Sequence, residues 1–146
     1  MTPKDSNHAL NRLLMIIYRS LPMYLADAVP WMHTGDEKAK HVLNHIVSDY
    51  RMYSGRIADL LLAERQRFSF GEYPMTFTDT HDLSLDYLVS EMIDYQRQDV
   101  AAIEKCVSEL KTDAAGRNLA EEVLGNARGH LHSLEELPKQ PAIAPS

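Results

Sequence analysis

Cysteine is almost absent from this chain. Cys106 stands alone, which excludes an internal disulfide framework, a zinc ribbon and a redox dithiol, and fits a reducing compartment. Basic residues are also scarce: 15 Lys and Arg face 21 Asp and Glu, for a formal net charge of -6. That balance argues against a general nucleic-acid or anionic-membrane surface. Long apolar runs are missing. The most apolar early stretch, Leu13 to Ile17, is flanked by Asn11 and Arg12, so neither a signal peptide nor a membrane span is expected, and the expected location is cytoplasmic. No glycine-rich phosphate loop and no serine-centred nucleophile motif occurs. What the 146 residues do contain is 45% hydrophobic and 25% charged side chains, the profile of one soluble globular domain large enough to bury a core.

The apolar residues recur at helical spacing in four long segments. The first runs over residues 6 to 32, with Leu10, Leu13, Leu14, Ile17, Leu21 and Leu25 on one face. Pro22 removes a donor and crowds the preceding turn, so a bend near Ser20 is expected. Pro30 closes this segment, and Thr34-Gly35-Asp36 supplies a short turn. The second segment, about Asp36 to Gln66, buries Ala39, Val42, Ile46, Tyr50, Tyr53, Ile57, Leu60 and Leu61. Periodicity then fails from Arg67 to Thr80, where Phe68, Phe70, Tyr73 and Phe77 alternate with Gly71 and Pro74. Extended at about 3.3 Å per residue, such a connector spans roughly 45 Å, enough to return along a helix pair.

The third segment starts at Thr80 or Asp82 and continues to about Lys111, with Leu88, Met92, Tyr95, Ile103, Val107 and Leu110 as its core row. Thr112-Asp113 breaks and recaps the chain. The fourth carries Leu119, Ala120, Val123, Ala127, Leu131, Leu134 and Leu137 and stops at Pro138, so residues 1–137 form the expected domain and 138–146 a disordered tail. Short, long and short connections describe an all-α, antiparallel four-helix bundle with a long crossover between helices two and three.

Few polar side chains fall inside the apolar sectors. His130 lies within the row of the fourth segment, Asp99 and Gln96 flank the row of the third, Asp49 sits at the edge of the second, and the first offers only Tyr18 and Tyr24. Counted from the turns at about 1.5 Å per residue, Tyr18, Asp49, Asp99 and His130 all fall near mid-bundle. The metal candidates are therefore Asp49, Asp99 and His130, suited to iron, zinc or manganese, with Tyr18, Tyr24 and Gln96 in the same polar layer. The leading expectation is a hydrogen-bonded layer without metal, in which a carboxylate offsets the burial of the imidazole, because only two carboxylates reach the sector and the first segment brings none. His41, His45 and Asp49 follow one another at i, i+4, i+8 as a ridge that reads as solvated, with His45 and Asp49 joining the inner layer if the helix turns modestly.

With its His-containing last segment, Glu121-Glu122 through His130-Leu131-His132, the chain resembles the ferritin-like superfamily of ferritins, bacterioferritins and rubrerythrins over about residues 6–137. That resemblance implies a ferritin-like bundle and a remnant site at His130. Iron-oxidising members carry Glu-x-x-His on the second and fourth helices, whereas here Ala127 precedes His130 by three, and Lys38 and Val42 precede His41 and His45. Ferroxidase activity is therefore not expected. The expected role is non-enzymatic, structural or interaction-based, in a homodimer whose contact uses Gly125 and Gly129. The competing expectation is a metal-dependent oxidoreductase or metal carrier at the Asp/His site. A third is an adaptor whose Phe68–Phe77 connector docks another protein.

Overall fold

The computed structural model describes residues 3–28, 37–80 and 85–137. The expected stop at Pro30, the Thr34-Gly35-Asp36 turn, the cap at Asp82 and the tail 138–146 lie outside them. The described residues form helices α1 (Pro3–Tyr18), α2 (Leu21–Ala28), α3 (Glu37–Ala63), α4 (Leu85–Glu109) and α5 (Ala114–Glu135), with a 3₁₀ helix at Met75–Thr80. No strand occurs among them.

The expected first helix is two helices. Pro22 has no N–H to offer the Tyr18 carbonyl, so the α1 ladder stops there. Ser20 takes over the turn, its hydroxyl donating to the Ile17 carbonyl at 2.9 Å, and Tyr24 N–H restarts the ladder on the Ser20 carbonyl. Helix α3 ends with Arg65 in the left-handed region (φ 56°), Gln66 N–H reaching back to the Leu61 carbonyl and Arg65 N–H to Leu62. That pairing satisfies carbonyls a helix end leaves open. Asp113 caps α5, accepting from Gly116 N–H at 2.9 Å.

Helix α1 packs on α3 and α4, and α5 packs on the same two helices. The common core takes Leu10, Leu13, Leu14 and Ile17 from α1, Ile46, Tyr50, Ile57 and Leu61 from α3, Leu88, Met92 and Ile103 from α4, and Ala120, Val123 and Ala127 from α5. Most of the expected core is buried. Val42 and Leu60 are only partly covered, and Leu43 and Val47 are buried instead, so α3 is turned slightly from its projected face. Ion pairs rim the seams: Arg12 with Glu109, Arg56 with Glu122, Arg97 with Glu135 and Arg128 with Glu104. Pairs this exposed to solvent add little to stability. At Gly125 and Gly129 a Cβ would meet nothing within 4 Å among the described residues. No helix of the described residues is long and apolar enough to cross a membrane.

The connector after α3 lies along α1. Asn11 pairs with the Ser69 backbone in both directions, and Arg19 Nε donates to the carbonyls of Phe70 and Gly71 at 3.1 and 2.8 Å. The Arg19 guanidinium also sits over the rings of Tyr18 and Tyr73, at 4.8 and 4.7 Å. Phe77 then dives into the core, edge-on to Tyr95 of α4. At Gly71 the backbone takes φ 77°, and a Cβ there would stand 3.0 Å from Met15 Sδ. Gly71→Ala should therefore cost about 1–2 kcal/mol, from left-handed strain plus that contact. Chemical denaturation checks this; an unchanged midpoint would mean that the connector is not held against α1.

Candidate metal centre

Where α3 meets α5, two pairs of polar residues face each other. One pair, His45 and Asp49, is spaced i, i+4 on α3, and the other, Asn126 and His130, has the same spacing on α5, which puts each pair on one helical ridge. The other three converge on one oxygen of the Asp49 carboxylate. Asp49 Oδ2 lies 2.9 Å from His130 Nε2 and 3.5 Å from His45 Nε2, and accepts from Asn126 Nδ2 at 2.8 Å. His130 is buried, Asp49 is half-buried and the His45 side chain is 66% exposed, so the cluster runs from the core to solvent.

Ligand atoms of His45, Asp49 and His130 all lie within 4.8 Å of one another. An ion held tetrahedrally at zinc-to-nitrogen distances separates its ligand atoms by about 3.3–3.4 Å; the two spacings to Asp49 are 2.9 and 3.5 Å, and the two imidazoles lie within 4.8 Å of each other. His130 Nε2 makes a close but poorly directed contact with Asp49 Oδ2, and Asn126 Oδ1 is buried without a partner. Buried polar atoms are satisfied in most proteins, and an ion between His130 and Asp49 would satisfy both; Ser54 Oγ, Gln96 Oε1 and Arg117 Nε are buried without hydrogen-bond partners elsewhere. Burial, aided by His45, pushes the His130 imidazole below its ordinary pKa, against the pull of Asp49. The neutral ring is the ligating form.

Behind the cluster Gln96 ties three helices together through its amide nitrogen, while its Oε1 is buried without a partner. Gln96 Nε2 donates to Tyr50 Oη at 2.8 Å and to the Ala127 carbonyl at 3.0 Å, joining α4 to α3 and α5. The Tyr50 ring stands edge-on to His130 at 5.7 Å, and burial drives its hydroxyl pKa up. Of the expected metal residues, Asp49 and His130 come together and Asp99 stands outside the cluster. Tyr18 and Tyr24 are half-buried and serve the connector, stacking on Phe70 and on Tyr73 respectively. His45, read as part of a solvated ridge, reaches the site; His41 remains exposed. The signal for His45 lay in its spacing to Asp49, and Asn126 drew no notice because it sits at the edge of the α5 apolar row.

A di-iron centre does not fit these residues, because among the described residues the cluster contains one carboxylate, whereas bridging two irons draws on four. The arrangement suits a single borderline divalent ion with an open position toward solvent. Comparison of the chain with protein-family profiles, with curated proteins and with solved structures finds no match in any of the three.

Asp99 has its own chemistry. No hydrogen bond or ion pair reaches it among the described residues, and desolvation pushes its carboxyl from 3.8 to about 7. The folded state then holds a proton that the unfolded chain releases near pH 4, so Asp99 subtracts stability progressively as pH rises from about 4 to about 7. Asp99→Asn should raise stability at pH 8 by on the order of 1–3 kcal/mol, with the gain vanishing near pH 4. Denaturation of both proteins across that range checks the sign; a gain independent of pH would contradict it.

Proposed function

We propose that this chain is a ferritin-like four-helix bundle that binds one divalent transition-metal ion, of the zinc class, at His45, Asp49 and His130, as a non-enzymatic metal-binding protein. The single observation that carries the metal reading is the convergence of His45, Asp49 and His130 across the α3–α5 seam, with ligand atoms within 4.8 Å of one another.

The bundle is supported by the order of its pairs. Arg97 meets Glu135 and Arg128 meets Glu104, so residue numbers rise along α4 as they fall along α5. Asp49 with His130 and Arg56 with Glu122 do the same for α3 and α5. Helices α3 and α4 then run the same way, and their connector must return along the molecule, as its contacts with Asn11, Arg19 and Tyr24 suggest. An oxidoreductase of the di-iron type is disfavoured by the lone carboxylate, and an adaptor role for the connector by the burial of Phe77.

Elemental analysis after zinc loading and gel filtration should find about one ion per chain. His130→Ala should abolish stoichiometric binding. His45→Ala, at an exposed position, should weaken it by about 10- to 100-fold while the metal-free melting temperature stays within about 2 °C. Wild-type protein that retains no zinc, or binding indifferent to His130→Ala, would refute the proposal.

A further inference from the structure

The two ridges that meet at the α3–α5 seam mirror each other in all but one respect. Each supplies one imidazole and, four residues away, one side chain with an oxygen: His45 and Asp49 on α3, His130 and Asn126 on α5. The α3 oxygen is a carboxylate and the α5 oxygen is a neutral amide. Asn126 is no bystander, since its Nδ2 donates to the same Asp49 Oδ2 that faces both imidazoles, at 2.8 Å. Its own Oδ1 is buried without a partner, beside the His130 Nε2 that lies 2.9 Å from Asp49.

We infer that Asn126 is the specificity-determining residue of this site: as the uncharged counterpart of Asp49, it holds the cluster to one negative charge and selects a borderline, nitrogen-preferring divalent ion over a hard one. The inference rests on the metal-binding reading above. Hard ions such as manganese and magnesium depend on carboxylate and other oxygen ligands, whereas two imidazoles with one carboxylate suit zinc and its neighbours. A second carboxylate at position 126 would complete a His₂Asp₂ set and raise the attraction for hard ions most, because those ions gain most from ligand charge. The amide has a second effect. By donating to Asp49 Oδ2 it fixes that oxygen toward the imidazoles, an orienting contact of the kind that tunes metal affinity.

The test titrates the full-length chain with zinc against a chromophoric chelator and with manganese by the electron paramagnetic resonance signal of the free ion. Asn126→Asp should tighten manganese binding by at least about tenfold and narrow the zinc-to-manganese preference correspondingly. Asn126→Ser, which adds no charge, should weaken zinc by about tenfold through loss of the hold on Asp49 and leave that preference unchanged. Zinc binding by the wild type together with an unaltered preference in Asn126→Asp would overturn the inference and leave the metal site standing. Should Asn126→Asp fail to fold, unchanged zinc affinity in Asn126→Ser overturns it instead. If neither the wild type nor Asn126→Asp binds either ion, the metal reading itself fails and the inference falls with it.

Discussion

A half-buried carboxylate has to be satisfied where two helices close on each other, and in this protein that carboxylate is Asp49. Removing its charge from water without partners would cost several kcal/mol. The partners come from the facing helix: the Asn126 amide donates to Oδ2, and the His130 ring is brought to 2.9 Å of the same atom. That requirement fixes how α5 sits against α3, because residues 126 and 130 are one turn apart and must both reach one oxygen. Once it is met, His130 is driven inward, loses water, and favours its neutral form.

The rest of the molecule holds this seam in place. Gln96 ties α4 to Tyr50 and to the Ala127 carbonyl, so a donor from a third helix locks the residues beside Asp49 and His130. A buried network that is fully bonded rigidifies, and each polar group left unpaired in it costs stability. Tyr50 is held by Gln96, while Gln96 Oε1 and Asn126 Oδ1 are left without partners. At the other side of the core the connector is clasped to α1 by Asn11 and Arg19, and Phe77 fills the space against Tyr95.

Helical spacing made the long elements legible in the sequence, since Leu10, Leu13, Leu14 and Ile17 or Leu119, Val123 and Ala127 admit no other period. Pro22 announced the interruption near Ser20, and Asp113 announced the cap of α5. Whether Pro22 bends a helix or ends it was not legible, because that turns on how Ser20 and Arg19 are engaged by their surroundings. The site was legible in part. Asp49 and His130 could be placed at one level from rise per residue alone. His45 could not, because at a seam the useful positions lie at the edge of the apolar sector, where a wheel projection also puts solvated residues, and a small rotation of α3 decides between them. Asp99 shows the reverse: pointing inward, it still finds no imidazole, and its desolvation makes it a stability liability instead of a ligand.

One imidazole at the surface, one in the core and a single shared carboxylate describe a centre with access from solvent and too little negative charge to bridge a metal pair. X-ray absorption fine structure on the zinc-loaded protein tests this most directly. The account predicts a four-coordinate shell of nitrogen and oxygen at about 2.0–2.1 Å with the multiple-scattering pattern of two imidazoles. A six-coordinate, all-oxygen shell without imidazole scattering would contradict it.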